Sequence, residues 1–265
     1  MPIHLIVQYC SHPLPARVAE YDECMRRNLA NPHVAAMHNL IEANTSVPAE
    51  FKSHPKYREK TIGRWLTYKD AFDYANANLA GEICCLCNLD IFLDPASAWD
   101  ETRAIINEGW VLCQSRIEFD PKSGPYKDVL FSQCAFANSQ DAWLFVPPLN
   151  VNNCEFEIGI LGCDNAIAHR LVQSGKQPLN LADRFRIFHY DRARGKNSLN
   201  QAEVHVSEAA RRPKKNPERE GYYLVPNFDQ VRSVDAVFQM MQLTDVQRYQ
   251  AICALMTKLI TINNP

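Results

Sequence analysis

The stretch that decides the fold is residues 83–90, Ile-Cys-Cys-Leu-Cys-Asn-Leu-Asp, an apolar run that ends in an acidic turn. Five successive apolar residues predict a strand covered on both faces, which is typical of a central strand in a mostly parallel sheet. Asn88 and Asp90 then follow at the carboxyl end of that strand, where open α/β sheets bind their ligands.

The segments around this strand alternate between strand and helix patterns. Polar residues 44–63, with two prolines, predict a loop that allows a short strand near Thr61-Ile62. This order predicts an α/β fold for residues 1–195, with a mostly parallel central sheet flanked by helices. Residues 196–265 are expected to form a basic loop and C-terminal helices that pack on the same domain. Strands are expected at about 3–9, 36–42, 83–87, 110–117, 142–146 and 184–190, and helices at about 15–29, 67–79 and 165–174.

Composition limits the classes of function. The 265 residues are 46% hydrophobic with a net charge of −2, which allows one well-buried core and gives no field to attract nucleic acid or an anionic membrane. No segment approaches the ~20 apolar residues that span a bilayer, and the N-terminus lacks signal-peptide features, so a soluble cytoplasmic protein is expected. The ten cysteines form no pair of CxxC motifs and are interpreted as reduced core thiols.

The usual phosphate-binding motifs are missing from the sequence. Neither G-x-G-x-x-G after the first strand nor G-x-x-x-x-G-K-[ST] occurs, and no G-x-S-x-G indicates a hydrolase. A phosphorylated ligand would therefore have to be held by a metal ion. Asp90, with Asn88 or Asp94 beside it, offers the hard oxygen ligands that suit Mg²⁺ and Mn²⁺. Capping of a helix at Pro95 is the competing interpretation of Asp94.

Several short motifs follow one another over residues 3–192. They are Ile6-Val7-Gln8-Tyr9, Arg64-x-x-Thr67-Tyr68-x-Asp70, Asn88-x-Asp90-Ile91, Ser139-Gln140-Asp141-x-Trp143, Gly162-Cys163-Asp164-Asn165 and His189. In their order and spacing the chain resembles the GT-A fold glycosyltransferases, close to a group of bacterial and viral enzymes that use nucleotide sugars. It departs from them in one respect, because Asn88 stands where the D-x-D motif of the family has its first acid.

The resemblance implies a Rossmann-like GT-A sheet and assigns roles to the motif residues. Asp90 would be the main ligand of Mn²⁺ or Mg²⁺, His189 would complete the metal sphere, and Asn88 would be a weak or outer ligand. Asp164 would face the acceptor. The implied nucleotide-binding residues are Gln8, Tyr9, Arg64, Tyr68, Asp70 and Leu89, and the implied sugar- or acceptor-binding residues are Asp141, Trp143, Gly162, Cys163 and Asn165.

Structural roles compete with these assignments. Asp164 precedes a helix and is also interpreted as its N-cap, His189 as a core histidine, Trp143 as a packing residue and Arg64 as a solvated charge. Arg192 and Arg194 could clamp phosphates, although charge runs usually face solvent.

The expected reaction is sugar transfer from a nucleotide diphosphate sugar, with UDP favoured, to a hydroxyl of a glycan or other acceptor. A divalent ion stabilises the departing diphosphate, and a carboxylate takes the acceptor proton. Asp164 as that base predicts inversion, which is slightly favoured, whereas an orienting role would fit retention.

Two alternatives remain. A nucleotide-sugar-forming nucleotidyltransferase would show a glycine-rich basic loop where residues 10–15 stand. A degenerate binding protein is hinted at by Asn88. The sequence does not identify the sugar, the acceptor or the oligomeric state.

Overall fold

The structure, a computed structural model, describes residues 2–106, 109–122, 124–125, 140–160, 163–182 and 184–190, with the backbone alone at residue 165. The basic loop and C-terminal helices predicted for 196–265 lie outside these residues. The described helices are α1 (Pro15–Ala30), α2 (Ala49–Lys52), α3 (Tyr68–Asn78), α4 (Thr102–Ile106) and α5 (Cys163–Gln173). The described strands are β1 (Ile3–Val7), β2 (Val34–Ile41), β3 (Tyr57–Thr61), β4 (Ile83–Cys87), β5 (Ile91–Leu93), β6 (Trp110–Gln114), β7 (Arg116–Asp120), β8 (Gly124–Pro125), β9 (Ala142–Phe145), β10 (Gln177–Leu179) and β11 (Ile187–Tyr190).

A seven-stranded sheet forms the core, in the order β10-β6-β9-β4-β1-β2-β3. Its pairings are parallel except for those of β9, which runs antiparallel to both β4 and β6. All five residues of β4 are buried, as expected for a strand covered on both faces. The predicted α/β fold with a mostly parallel sheet is confirmed.

The first and third helices have the features that their sequences predict. α1 has Pro15 at its first position, where a missing N–H costs no helix hydrogen bond. Thr67 and Asp70 form a capping box at the start of α3.

No helix in the described ranges is long and apolar enough to cross a membrane. The cysteines of these ranges are buried and form no disulfide, which agrees with reduced core thiols.

The predicted loop at 44–63 is partly wrong. It contains α2 and the edge strand β3, whose residues 58–61 are exposed. The sequence Tyr-Arg-Glu-Lys-Thr shows no apolar alternation, because this edge strand forms through backbone pairing with β2 rather than through burial of its side chains.

A second sheet, in the order β5-β11-β7-β8, lies beside the first. The predicted strand at 110–117 divides at Ser115 into β6 and β7, one in each sheet. The side of the small sheet that packs against α1 is aromatic, and Arg27 lies over Phe92 and Phe119 at 4.8 and 4.9 Å. Side chains alternate along strands, so His189 and Glu118, which pair in the β11–β7 register, share the opposite side.

A histidine pair lies on β1 and β2. Nδ1 of His4 is 3.0 Å from Nε2 of His38, and Nδ1 of His38 is 2.9 Å from the hydroxyl of Tyr74. Burial, together with the nearby His4 and Arg58, lowers the pKa of His38 from 6.5 to about 4. The folded protein therefore keeps this imidazole neutral at pH values where an unfolded chain would protonate it.

We expect the free energy of unfolding to fall as the pH falls from about 6.5 to 4. In that window the unfolded chain takes up a proton that folded His38 does not, which costs up to about 1.4 kcal/mol per pH unit. Denaturant unfolding of the wild type and of His38→Gln at pH 7 and pH 5 measures the difference. His38→Gln should lose less stability on acidification, and His33→Gln serves as control. An unchanged pH dependence in His38→Gln would contradict this account.

Candidate functional site

Polar side chains from separate strands meet at the carboxyl edge of the large sheet. Asn88 and Asp90 follow β4 directly. Because β9 runs in the opposite direction, its beginning lies at this same edge. The backbone N–H of Asn88 donates to the carbonyl of Asp141 at 3.1 Å, and its side-chain amide donates to Oδ1 of Asp141 at 2.9 Å.

Asp90 and His189 are in contact, although 99 positions separate them. Nε2 of His189 lies 3.2 Å from Oδ2 of Asp90, and the N–H of Tyr190 donates to the carbonyl of Asp90 at 3.1 Å. Both side chains are buried, with exposed fractions of 8% for Asp90 and 2% for His189. The structure thus brings together two of the three predicted metal ligands, Asp90 and His189, while the side-chain amide of the third, Asn88, donates to Asp141.

Glu118 and Arg116 extend the site along β7, and sequence reasoning missed both. Nδ1 of His189 lies 2.6 Å from Oε2 of Glu118. Arg116 donates to Oε1 of Glu118 at 2.7 Å and to Oδ1 of Asp141 at 3.0 Å. The available signal was the spacing of two, which puts charged residues 116 and 118 on one side of a predicted strand.

Arg17 and Glu20 on α1 complete the site from the other direction, and they were missed as well. Nη2 of Arg17 donates to Oδ2 of Asp90 at 2.8 Å, while Nη1 donates to Glu20. Arg17 is 2% exposed and Glu20 is 0% exposed. Their spacing of three places both on one side of the helix with Cys24, a buried side that could have flagged them.

Seven side chains therefore form one ion network: Glu20, Arg17, Asp90, His189, Glu118, Arg116 and Asp141. Burial and Arg116 lower the pKa of His189, but Asp90 and Glu118 outweigh them and raise it to about 9. Burial raises the pKa of Glu118, yet His189 and Arg116 hold it down at about 2. Among the described residues, the network therefore pairs four carboxyl groups with three basic side chains.

Asp164 lies next to this network, in the first turn of α5. Its Oδ2 accepts a hydrogen bond from the backbone N–H of Gln140 at 3.1 Å, one residue before Asp141. The side chain is only partly buried. Asp164 therefore joins the first turn of α5 to the residues that precede β9, at the edge of the sheet where Asp141 meets Asn88.

Tyr68 and Trp143 are corrections to the predicted ligand contacts. Tyr68 was expected to line the nucleotide and Trp143 to meet the sugar, but both are 0% exposed and their rings pack edge to face at 5.0 Å. Cys163 is also buried, and its sulfur accepts from the hydroxyl of Tyr68. These three residues pack the core beneath the edge, because their positions on α3, β9 and α5 face inward.

The side chains of Gln8 and Tyr9 form hydrogen bonds within the protein. The Gln8 amide donates to the carbonyl of Arg64 at 2.9 Å and accepts from the N–H of Leu66 at 2.8 Å. Tyr9 is buried, and its hydroxyl donates to Asp22 at 2.8 Å. Gln8 thereby joins the end of β1 to the segment before α3, Tyr9 joins it to α1, and their nucleotide-binding role stays a prediction.

Asp70 and Asp141 both make hydrogen bonds within the protein, and their predicted roles in binding the nucleotide and the sugar stay predictions. Asp70 accepts from Thr67 in the capping box and pairs with Arg64, while Asp141 is buried between Arg116 and Asn88. Arg64, 66% exposed, and the partly exposed Leu89 keep their proposed nucleotide role as a prediction. Gly162, Arg192, Arg194 and the side chain of Asn165 lie outside the described residues.

Asp90 and His189 form a hydrogen-bonded pair, with 3.2 Å between Oδ2 of Asp90 and Nε2 of His189. Two ligands at right angles and about 2.1 Å from an ion lie about 3 Å apart, so the pair has the separation of two neighbouring ligands. Glu118 on the other nitrogen is the usual partner of a metal-bound imidazole, although His189 would first have to lose a proton. No three His, Cys, Asp or Glu side chains among the described residues are grouped to hold a metal ion. A divalent ion held by Asp90 and His189 therefore stays a prediction, and such an ion would need further ligands from outside these two side chains.

Comparison with solved structures gives distant similarities. Residues 1–349 of TarS from S. aureus match at 11% identity and a TM-score of 0.46, over 72% of this chain and 60% of that one. A complex of the same fragment with UDP-GlcNAc matches at 11% identity and a TM-score of 0.37, over 55% and 45%. HddC from Yersinia pseudotuberculosis matches at 9% and 0.39, over 71% and 93%.

The chain thus spans less than two thirds of the TarS fragment. No family model and no curated protein matches this sequence. With TM-scores below 0.5, the function proposed below rests on the site itself.

We expect the imidazole of His189 to titrate near pH 9 in the metal-free protein, because Asp90 and Glu118 stabilise its charged form. Glu118→Gln removes one of these partners and should lower the midpoint, as followed by ¹H–¹⁵N NMR of the imidazole. Glu50→Gln, at an exposed ion pair on α2, is the matched control. A wild-type midpoint below 7 would show that the network does not hold the proton.

Proposed function

We propose that this protein is a glycosyltransferase that moves a sugar from a nucleotide diphosphate sugar, with UDP favoured, to a hydroxyl of a glycan or other acceptor. The observation that carries the proposal is the contact between Asp90 and His189 at the carboxyl edge of the sheet, with Asp164 at the start of the adjacent helix. Ligands of open α/β sheets bind at this edge.

The charges of the ion network support a role for a divalent ion. Among the described residues, the network sets four carboxyl groups against Arg17, Arg116 and His189, and carboxylates repel a diphosphate unless a cation lies between them. Asp90 and His189 would hold Mn²⁺ or Mg²⁺ together with the diphosphate oxygens. Such an ion, when bound, stabilises the negative charge that develops on the departing nucleoside diphosphate.

The other residues of the network hold these two ligands in position. Glu118 fixes the imidazole of His189, and Arg17 holds the carboxylate of Asp90. Arg116 and Asp141 fix the turn after β4 by way of Asn88. Preorganisation of this kind matters because a misplacement of about 1 Å can cost on the order of a hundredfold in rate.

Asp164 is proposed as the base that takes the proton of the acceptor hydroxyl. Its carboxylate is partly exposed and is anchored through Oδ2 to the N–H of Gln140. A base on the far side of the sugar from the leaving diphosphate gives inversion at the anomeric carbon, which is the outcome we propose.

A catalytically degenerate nucleotide- or carbohydrate-binding protein is the second candidate. Asn88 replaces an acid, and its amide is directed to Asp141. This candidate predicts binding of the nucleotide without turnover.

We expect UDP with MnCl₂ to raise the melting temperature. At about one hundred times the dissociation constant the gain is about 2.7 kcal/mol, or roughly 5–10 °C for a chain of this size. Asp90→Ala should abolish the shift, because it removes the main metal ligand. Asp73→Ala, an exposed acid on α3, should retain it. Absence of a shift with every nucleoside diphosphate and metal would overturn the proposed function.

We further expect slow hydrolysis of a nucleotide sugar, with water in place of the acceptor, in a panel of donors with and without Mn²⁺. Asp164→Asn should reduce the rate by about 10²–10⁴-fold, as for loss of a general base, while UDP binding persists. Asp73→Asn is the control. Binding without any turnover in the wild type, across the donors and with added sugar acceptors, would favour the degenerate binder.

A further inference from the structure

Trp65 is a partly exposed aromatic side chain at the carboxyl edge of the large sheet. It lies in the segment that joins the end of β3 to the start of α3. The protein has four tryptophans, and the other three, Trp99, Trp110 and Trp143, are buried, with exposed fractions of 7% or less. The side chain of Trp65 packs against the hydrophobic core, yet part of it stays in contact with water.

Hydrogen bonds hold both the backbone and the ring of Trp65 in place. The side chain of Gln8, directly after β1, donates to the carbonyl of Arg64 at 2.9 Å and accepts from the N–H of Leu66 at 2.8 Å. Gln8 thus bonds the backbone before and after Trp65. The indole N–H of Trp65 donates to the carbonyl of Ile158 at 3.0 Å. A ring that is already fixed in this way loses little conformational entropy when a ligand binds to it.

The order of the strands puts this ring beside the switch point of the sheet. The chain passes from β1 to β2 and β3 on one side of β1, and it then returns to β4 on the other side. In open α/β sheets the ligand crevice lies outside the carboxyl ends of the strands at which the order reverses. Here the end of β1 carries Gln8 next to Trp65, and the end of β4 leads to Asn88 and Asp90.

We infer that Trp65 is the platform on which the base of the nucleotide stacks, a role that rests on the proposed function. In that function the diphosphate lies at Asp90, beyond β4, and the sugar faces Asp164, which is bonded to the residues before β9. Since β9 and β1 are the two neighbours of β4, the nucleoside extends towards β1, where Trp65 lies. Adjacent strands are about 4.8 Å apart, so the end of β1 is within reach of a nucleoside whose diphosphate is at β4.

A partly exposed indole suits a base better than it suits a phosphate. Stacking brings the flat ring of Trp65 against the flat ring of the base, and it needs no polar group of the tryptophan, whose N–H is already used by Ile158. Every base has such a face, so Trp65 adds affinity for nucleoside diphosphates in general. A preference for UDP would have to come from hydrogen bonds that other residues make to the edge of the base.

The first experiment follows tryptophan fluorescence while UDP is added in the presence of MnCl₂. Stacking of the base should quench the emission of Trp65 in the wild type. Trp65→Phe retains a ring for stacking, so it should bind UDP within a few-fold of the wild type and lose the quenching. Trp110→Phe is the matched control and should keep the quenching, because Trp110 begins β6 and lies at the opposite edge of the sheet.

The second experiment measures affinities by isothermal titration calorimetry. Trp65→Ala should weaken the binding of UDP by about 5- to 150-fold, the range that stacking of a base on an aromatic ring contributes. Pyrophosphate with MnCl₂ offers the phosphates without a base, so it should bind Trp65→Ala as well as it binds the wild type. A merely structural role of Trp65 would instead weaken the binding of both ligands.

Three results would overturn this role of Trp65. They are UDP binding to the wild type without quenching, equal affinity of UDP for Trp65→Ala and the wild type, and equal losses of UDP and pyrophosphate binding in Trp65→Ala. If Trp65→Ala does not fold, the fluorescence of the wild type and of Trp65→Phe decides. Failure of the proposed function looks different, because the wild type then binds no nucleoside diphosphate at all.

Discussion

The contact of Asp90 with Arg17 on one side and His189 on the other is the interaction on which the site depends. It joins the first helix, the turn after the central strand and the last described strand at a single carboxylate oxygen. A buried carboxylate is tolerated only when it is paired, so these three elements have to be assembled together. The geometry proposed to bind a metal and a nucleotide is also what fixes α1 and β11 against the edge of the sheet.

Reversal of one strand determines which residues reach that edge. Since β9 is antiparallel to β4 and β6, its first residues lie at the carboxyl ends of its neighbours, and Asp141 meets Asn88 there. A parallel β9 would have placed Asp141 at the opposite edge. The second sheet has a comparable effect, because β7 and β11 pair in register and place Glu118 against His189.

The network alternates in charge along its whole length, from Glu20 to Asp141, and every link is a hydrogen-bonded ion pair. Buried pairs of this kind contribute little to stability on balance, since desolvation offsets their attraction. Their retention at a sheet edge therefore suits a role in holding a charged ligand, where fixed charges have to be ready before the ligand arrives.

The sequence by itself determined the α/β class and the buried central strand β4, because burial patterns are local properties. The resemblance of its motifs singled out Asp90, His189 and Asp164, and their common role in one site stays a prediction. Sequence reasoning misassigned Tyr68 and Trp143, which are core residues, and the edge strand β3, which forms through pairing alone. It missed Arg17 and Glu118 altogether. Only the tertiary structure decided these points, since a charged side chain acquires its partner from strand order and helix packing, which join residues as distant as 17, 90 and 189.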